Sequence, residues 1–336
     1  MTKFRRRVVS IPGVILAALL LLVLLPIWLP ITLIVDLVTA PRRLPRTRLV
    51  LFALCWAWLE SVALVAAFVL WVTRRPLKSW YTLQRWWAAR IVGALRVTCG
   101  FRMDVEGAGV TMPGPAVVFA RHASLADSVA SLFIVAPDRH TKPRYVLKRE
   151  LLADPCLDIA GNIIPDHFLD RGAADSAPEL AALTALSTGM GAEDVAVIFP
   201  EGTRANPKKR ARALEKIGER DPARAERLRG LRHLIPPRPA GAAALLAGAP
   251  DADVVILGHI GFEGLDTFGG ILRVLPRRTP VQIWLRRIPR AEIPGEEAAY
   301  TVWLDEAWLR LDEEVDAALR AEASADASPA TAVADR

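Results

Sequence analysis

The apolar positions of this chain form two different patterns, which meet near residue 73. Before this point, residues 14–38 and 49–72 are almost uninterrupted apolar runs. Each run exceeds the roughly 20 residues that a helix needs to cross the hydrocarbon of a bilayer. A cleaved signal peptide is a poor match, because its apolar region is shorter and no second run follows it. We therefore predict a membrane anchor of two apolar helices over residues 1–75.

Basic clusters flank both runs: KFRRR before them, PRRLPRTR between them and RRPLK after them. A simple hairpin would place the middle cluster outside, against the positive-inside tendency. Pro26 and Pro30 interrupt helical hydrogen bonding in the first run, which favours a segment that dips into the bilayer and returns. Spanning and dipping both stay open. Glu60, inside the second run, is a candidate functional carboxylate, but we favour a protonated side chain or one that faces a partner helix.

The next segment, residues 76–98, mixes tryptophan and arginine. Trp80, Trp86, Trp87 and Ile91 recur at near-helical spacing. Aromatic and cationic side chains together are typical of a helix at the membrane–water interface. A core helix of the following domain would show the same spacing, so both interpretations stay open.

Beyond residue 99, short β-like runs alternate with helical stretches. The candidate strands are FRMDVEG, AVVFA, RYVLK, NIIP, VAVIFP, DVVILGHI and VQIWLRRI. Helices are expected over residues 127–135, 177–190, 240–247 and 298–319. Such alternation predicts an α/β domain with a mixed sheet, here over residues 99–320. The charged stretch 204–232 is interpreted as an exposed helical insertion, and residues 321–336 as a disordered tail.

Composition adds a preference for anionic partners. The chain has 336 residues, a net charge of +7 and 52% hydrophobic residues. A basic chain favours phospholipid headgroups, phosphorylated metabolites or nucleic acid. Its three cysteines, Cys55, Cys99 and Cys156, lack the spacing of a metal site or a disulfide framework.

The stretch RHASLADS holds a histidine and an aspartate five positions apart. On a regular helix these two side chains would lie roughly 140° apart and could not touch. However, His122 follows the strand AVVFA and Asp127 lies in the first turn of the next helix, so the two can converge. A carboxylate beside imidazole holds one tautomer and makes the ring a better base. The alternative is that Ser124 and Asp127 form a capping box that only starts the helix.

Three further blocks lie between residues 161 and 241. VAVIFPEGTR ends a buried strand in a turn with glycine, a hydroxyl and Arg204, which suits an oxyanion such as phosphate. GNIIPDHFLDR carries Asp170 and Arg171, a possible second cation for the same anion or only a surface ion pair. LRHLIPPRPAG is a proline-stiffened loop, for which a structural role is the default.

The order of these blocks, H-x4-D, G-x-I with a later D-R, F-P-E-G-T-R and a fourth block with proline, resembles the glycerolipid acyltransferase family, the 1-acylglycerol-3-phosphate O-acyltransferases. The resemblance covers roughly residues 97–319. The fourth block and the C-terminal YTVWLDEAWLRLDEEV are similar to the lysocardiolipin-type branch. We therefore expect an α/β, mixed-sheet acyltransferase domain preceded by an N-terminal membrane-embedded helical segment.

The resemblance also implies roles for residues. His122 would be the general base on the acceptor's free hydroxyl, with Asp127 as its orienting partner. The Pro237-Arg238 loop would line the acyl-donor side. The glycerol phosphate would be bound by the FPEGTR turn and a second arginine, namely Glu201, Gly202, Thr203, Arg204 and Arg171.

The implied partners are a lysophospholipid acceptor, a thioester donor and a lipid bilayer. The donor would be acyl-CoA or acyl-carrier protein, and the reaction needs neither a metal nor another cofactor. Lysophosphatidic acid is the default acceptor; lysophosphatidylglycerol, lysocardiolipin or a glycolipid would use the same chemistry. The expected location is the cell membrane, with the catalytic domain facing the cytoplasm and no nucleic acid bound.

Two departures from the family pattern concern the acceptor. Arg121 stands where many members carry asparagine, and Asp170 lies farther from Gly161 than is usual.

Two other classes of protein are alternatives to this family. A serine hydrolase needs G-x-S-x-G, and the nearest stretch, ALSTG, lacks the first glycine. A membrane-anchored protein that binds anionic ligands through residues 204–232 is the non-enzymatic alternative. Its binding would survive the loss of His122.

Overall fold

The computed structural model describes residues 2–124, 126–135, 140–170, 176–265 and 267–326. The N-terminal part is helical: α1 (Lys3–Val23), α2 (Leu25–Thr39), α3 (Pro45–Val72) and α4 (Leu77–Cys99). Both apolar runs of the predicted anchor are thus helical, and the first run consists of two helices, α1 and α2. The first apolar run breaks at Leu24, because Pro26 in the first turn of α2 lacks the N–H that would continue the helix.

By length and composition, α1 and α3 could each cross a membrane. Most of the exposed large apolar side chains of the described residues lie in α1, α2 and α3, with Val38 80% exposed and Val65 63% exposed. This outward apolar surface is the reverse of what a helix in water presents.

Both ends of the first apolar run are attached to the rest of the protein. Arg6 Nη2 and Arg7 Nε lie 2.7 and 3.0 Å from the carboxylate of Asp158, which is fully buried. At the other end, Arg43 donates to the carbonyl of Leu275 at 2.9 Å. The first two basic clusters therefore contact the same globular part of the molecule.

Helix α4 packs along α3 and joins it to the globular core. Its buried face carries Trp80, Tyr81, Trp87 and Ile91, which matches the core-helix interpretation of this segment. The Trp87 Nε1–H donates to Glu60 Oε1 at 2.7 Å. Glu60 thus faces a neighbouring helix, as expected.

The globular part is built on one seven-stranded sheet, and the prediction of an α/β domain with a mixed sheet is confirmed. The strands are β1 (Met103–Glu106), β2 (Ala116–Ala120), β3 (Lys142–Lys148), β4 (His167–Leu169), β5 (Asp194–Ile198), β6 (Asp253–Ile260) and β7 (Val281–Ile288). Their order is β1-β7-β6-β2-β5-β3-β4. All neighbours are parallel except β6 and β7.

Helices cover both faces of the sheet. They are α5 (Ala126–Val135), α6 (Pro155–Ala160), α7 (Ala177–Ser187), α8 (Pro207–Gly218), α9 (Pro222–Arg227), α10 (Pro239–Gly248), α11 (Phe268–Val274) and α12 (Glu297–Asp326). Every residue of β2 is buried, because the strand lies between β5 and β6 and both of its faces are covered. Val118 faces the core that includes α4 and α5, and Val117 faces the core that includes α10 and α12.

Two element predictions need correction. NIIP is not a strand: Ile163 and Ile164 donate to the carbonyl of Ala160 in a turn after α6, and β4 begins only at His167. Ile164 is buried against Trp80, so its apolar character serves packing. The tail predicted to be disordered from residue 321 is helical as far as Asp326, and Glu322 is held there by Arg277 and Thr279.

Candidate active site

The sheet brings His122 to the carboxyl end of its central strands. The chain leaves β2 at Ala120, and its neighbour β5 leads directly into the FPEGTR turn. The two exits are tied together by the backbone, since Ala205 N–H donates to the carbonyl of His122 at 2.8 Å. The ring centroids of His122 and Phe199 lie 4.7 Å apart. Both motif segments therefore lie at one edge of the sheet, as α/β sites do.

His122 and Asp127 are in contact. His122 Nδ1 lies 3.0 Å from Asp127 Oδ2, and both side chains are almost fully buried. With Nδ1–H donating to the carboxylate, the lone pair on Nε2 is available to accept a proton. This is the arrangement of a general base with its orienting carboxylate.

The same carboxylate also begins helix α5. Asp127 Oδ2 accepts the backbone N–H groups of Ala123 and Ser124 at 2.6 and 2.7 Å. Ser124 Oγ donates to Asp127 Oδ1 at 2.8 Å and accepts the N–H of Ala126. These are the reciprocal bonds of a capping box. The capping interpretation and the pairing with His122 therefore both describe Asp127.

The charge on Asp127 is stabilised despite its burial. Burial by itself would raise the pKa of this carboxyl, but the nearby imidazoles of His259 and His122 and the N–H of Ser124 outweigh it and lower the pKa. Asp127 is consequently ionised at neutral pH, as a partner for an imidazolium must be.

Glu201 connects two backbone segments of the site. Its Oε1 accepts the N–H of His122 at 2.9 Å and its Oε2 accepts the N–H of Ile235 at 3.0 Å. Burial raises the pKa of this carboxyl to about 8. Because Glu201 is only 1% exposed and both oxygens are engaged, it fixes the loop that carries His122. The expected contact of Glu201 with substrate stays a prediction.

The remainder of the FPEGTR turn is more open. Gly202 has a φ of +69°, a backbone conformation that favours glycine. A Cβ there would also lie 3.1 Å from Nε of Arg238, so a larger residue would displace that side chain slightly. Thr203 Oγ1 accepts from Lys209 Nζ at 3.1 Å. The backbone of Arg238 is tied in as well, since its N–H donates to the carbonyl of Pro200.

The other predicted binding residues fall into two groups. Arg171 lies outside the described residues, so its role stays a prediction; its neighbour Asp170 pairs with Arg149. Arg238 lies against Gly202, while Pro237 is buried and its carbonyl accepts from Arg224. Neither Pro237 nor Arg238 is among the residues that line the cavity beside His122, so their predicted place on the acyl-donor side stays untested.

A cavity of about 550 Å³ opens beside His122. Its catalytic end carries His122, Phe199 and Arg204. Its apolar wall is formed mainly by side chains of α3, α4 and β3, including Phe52, Trp56, Ile91 and Leu147. One chamber thus joins a base and a cation to an extended apolar surface, which suits an amphiphilic ligand.

Sequence comparison now identifies the domain. Residues 102–256 match the family model Acyltransferase, a span that includes β2, His122, Asp127 and the FPEGTR turn. Residues 102–256 are thus an acyltransferase domain. The predicted resemblance to the glycerolipid acyltransferases is thereby confirmed. A comparison with curated protein sequences gives no match.

The fold is shared with a solved structure. The crystal structure of the 1-acyl-sn-glycerophosphate (LPA) acyltransferase PlsC from Thermotoga maritima aligns with a TM-score of 0.52 and 17% identity. The alignment covers 81% of this chain and 98% of that one. It therefore includes part of the N-terminal helices as well as the acyltransferase domain.

The structure places a second histidine beside Asp127, which the sequence motifs did not indicate. His259, near the end of β6, is buried, and its Nε2 lies 3.7 Å from Asp127 Oδ1 and 3.3 Å from the carbonyl of Arg121. Burial lowers the pKa of His259, although Asp127 opposes this. The polar residue inside the apolar strand DVVILGHI was the signal that could have revealed it.

The same region explains Arg121, the unusual residue before His122. Its guanidinium pairs with Glu263 at 2.8 Å and contacts the carbonyl of His259. Glu263 also accepts the N–H of Gly261 at 2.5 Å. Arg121 thus joins the end of β6 to the catalytic loop.

Among the described residues, one group brings potential metal ligands together. Atoms of Glu60, Asp154 and Cys156 lie within 4.8 Å of one another at the contact of α3 with α6. Two of them already have protein partners, since Glu60 accepts from Trp87 and Asp154 accepts from the N–H of Leu157. None belongs to the His122–Asp127 pair.

Proposed function

We propose that this protein is a membrane-associated O-acyltransferase that acts on 1-acylglycerol-3-phosphate. It transfers a fatty acyl group from a thioester to the free hydroxyl of the acceptor and gives phosphatidic acid. The observation that carries the proposal is that His122, held by Asp127, and Arg204 line one apolar cavity. A base, a cation and an apolar chamber match the hydroxyl, the phosphate and the fatty chain of the reactants.

His122 provides the proton transfer. Its Nε2 accepts the proton of the acceptor's hydroxyl while the hydroxyl oxygen attacks the carbonyl carbon of the thioester. When the tetrahedral intermediate collapses, the C–S bond breaks and the leaving thiolate takes the proton from the imidazolium. Asp127, ionised because its pKa is lowered, stabilises the imidazolium between these steps. The enzyme therefore needs no nucleophile of its own.

Arg204 provides the charge for an anionic acceptor. Its guanidinium can bind a phosphate through two hydrogen bonds. Lys209, whose Nζ contacts Thr203 Oγ1 and the carbonyl of Arg204, adds positive charge beside the same turn. A phosphate monoester next to the reacting hydroxyl would be attracted by this field.

The N-terminal helices support a substrate held in a membrane. The apolar faces of α1, α2 and α3 are outward, and α3 and α4 supply much of the cavity wall. Helix α3 thus presents one apolar face outward, where lipid would lie, and also contributes to the cavity wall. The contacts of Arg6, Arg7 and Arg43 with the globular part support a cytoplasmic placement of both ends of the first apolar run.

The acceptor class also agrees with the structural neighbour. The Thermotoga maritima protein is described as an acyltransferase for 1-acyl-sn-glycerophosphate. We propose the same acceptor for this chain because His122, Arg204 and the apolar cavity match its hydroxyl, its phosphate and its fatty chain. Lysophosphatidylglycerol and lysocardiolipin are the nearest alternatives, because both offer a phosphate near a free hydroxyl.

The test is thiol release from oleoyl-CoA by the detergent-solubilised full-length protein. The acceptors are lysophosphatidic acid, lysophosphatidylglycerol and lysocardiolipin, each also run with the His122→Ala variant. We expect release with lysophosphatidic acid that depends on His122. Release only with another lysolipid would keep the mechanism and reject the acceptor.

If no thiol is released from oleoyl-CoA, a second acyl donor is tested. The same panel is then run with oleoyl-acyl-carrier protein, since either thioester suits the chemistry. Failure with both donors, together with salt-dependent binding of anionic vesicles that His122→Ala retains, would favour the non-enzymatic binding protein.

A further inference from the structure

The cavity beside His122 contains polar groups away from its catalytic end. Gln84 of α4 and Asp166, which precedes β4, both line it, and we call these two residues the polar subsite. Apart from Lys148 and Asp154, the other residues that line this part of the cavity are largely apolar, such as Ile91 and Leu147. A plain hydrocarbon chain has no group that could hydrogen-bond to the polar subsite.

Neither side chain of the polar subsite is satisfied within the described residues. Gln84 Oε1 is buried and accepts no hydrogen bond. Asp166 Oδ1 accepts the N–H of Tyr145 at 2.7 Å, which leaves Oδ2 without a protein donor. Buried polar groups that lack partners are costly, so such groups beside a ligand cavity point to the ligand as their partner.

Helix α4 passes beside the segment that carries Asp166, since Tyr81 of α4 and Pro165 line a common pocket. Tyr81 is three residues before Gln84 on α4 and so shares its side of the helix. The pKa of the Tyr81 hydroxyl is raised first by burial and then by the nearby Asp166. Gln84 and Asp166 thus line the same cavity from two neighbouring segments.

The chemistry of the pair suits a hydroxyl group. An amide can both donate and accept a hydrogen bond, and a carboxyl accepts when ionised and donates when protonated. Burial raises the pKa of Asp166 to about 7, so both forms are present at neutral pH. A hydroxyl, which also donates and accepts, can pair with either form. A carboxylate or phosphate on the chain would instead be repelled by Asp166.

The register of the sheet gives the depth of the polar subsite. Tyr145, whose N–H binds Asp166, is paired with Val197, two residues before Phe199 at the catalytic end. Two residues of strand correspond to roughly 7 Å. The polar subsite thus lies beyond the reacting carbonyl, beside the fatty chain.

We propose that the cavity selects an acyl chain that carries a hydroxyl group, bound by Gln84 and Asp166 some carbons away from the thioester. This inference rests on the proposed acyl transfer and names the class of acyl donor. A hydrogen bond to a charged group corresponds to a preference of about tenfold or more in kcat/KM.

The experiment compares palmitoyl-CoA with hydroxypalmitoyl-CoAs substituted at successive positions along the chain. It uses the full-length wild-type protein, Gln84→Leu and Asp166→Asn. Asn can still accept the N–H of Tyr145, so Asp166→Asn keeps the fold contact and changes the free oxygen. Asp104→Asn, at an exposed position of β1, is the matched control.

We expect one hydroxylated chain to exceed palmitoyl-CoA about tenfold in kcat/KM, with the preference lost in Gln84→Leu and Asp166→Asn and kept in Asp104→Asn. The proposal would be overturned if palmitoyl-CoA were used as well as, or better than, every hydroxypalmitoyl-CoA, whatever the position of its hydroxyl group. A preference that persists in both subsite variants would overturn it too, because the hydroxyl would then be recognised elsewhere.

A binding measurement separates this inference from acyl transfer itself. Palmitic and hydroxypalmitic acids are used to displace a fluorescent fatty acid from the protein without any acceptor. Tighter binding of a hydroxy acid that depends on Gln84 and Asp166 would support the polar subsite even if no transfer were found. Transfer without such selectivity would leave the acyltransferase proposal standing and reject the polar subsite.

Discussion

The catalytic end and the apolar wall of the cavity are held by different kinds of interaction. At the catalytic end, the position of His122 is set by directed hydrogen bonds: it donates to Asp127 and Glu201 and accepts from Ala205 N–H. Along the apolar wall, Phe52 and Trp56 contribute contact area without a fixed direction. A directed hydrogen bond is lost when one of its two atoms is replaced, whereas buried apolar area, and the free energy it contributes, changes in small increments. The chemical step should therefore be sensitive to single atoms, and the choice of chain should be graded.

The largest expected effect is that of His122→Ala. Removal of the base should lower kcat by about 10³- to 10⁴-fold, because the other described side chains at the catalytic end, Phe199 and Arg204, cannot accept the hydroxyl proton. Thermal unfolding should change little, since the backbone bonds to Glu201 and Ala205 remain. Thiol-release kinetics and circular dichroism measure the two. A near-normal kcat in this variant would show that His122 is not the general base of the reaction.

Asp127→Asn tests the orientation of the base. The Asn side chain can present an N–H to His122 Nδ1, which selects the tautomer with its proton on Nε2 and so blocks proton acceptance. We expect kcat to fall roughly 10²- to 10³-fold. Asp104→Asn, which changes an exposed carboxylate, is the control. An unchanged rate in Asp127→Asn would mean that Asp127 only caps α5.

The apolar wall should respond more gently. Phe52→Ala would lengthen the space open to a chain and shift the preference toward longer acyl groups. Each additional buried CH₂ contributes about 0.8 kcal/mol, or about fourfold in kcat/KM per methylene. Competition among acyl-CoAs of C12 to C20 measures the shift. Phe68→Ala removes an exposed ring of the same helix and should leave the preference unchanged.

The contrast between the two regions also explains what sequence could predict. AVVFA and VAVIFP are compact buried strands with motifs directly after them, so the convergence of His122, Asp127 and the FPEGTR turn followed from local order. The apolar wall could not be derived, because Phe52, Ile91 and Leu275 come from distant segments that meet only in the fold. NIIP was misread as a strand since its isoleucines pack without pairing. His259 was missed because only β6 in place shows that it faces Asp127.

The smallest expected effect concerns Glu201 and the pH dependence of stability. Its pKa is about 8 in the fold and 4.5 ordinarily, so the fold keeps a proton that the unfolded chain releases. The stability that this provides is complete below pH 4.5 and falls as pH rises, until it is lost above pH 8. Glu201→Gln cannot ionise, so its stability should vary less between pH 5 and pH 8.

The same variant should also be less stable at acid pH, by about 1–3 kcal/mol, because one of the N–H groups of His122 and Ile235 loses its acceptor. Thermal unfolding followed by circular dichroism across this pH range measures both effects. A wild-type protein and a variant with parallel pH profiles would show that Glu201 is ionised in the fold. The loop under His122 would then depend on a charged carboxylate, and the catalytic end would be held by a buried charge as well as by directed hydrogen bonds.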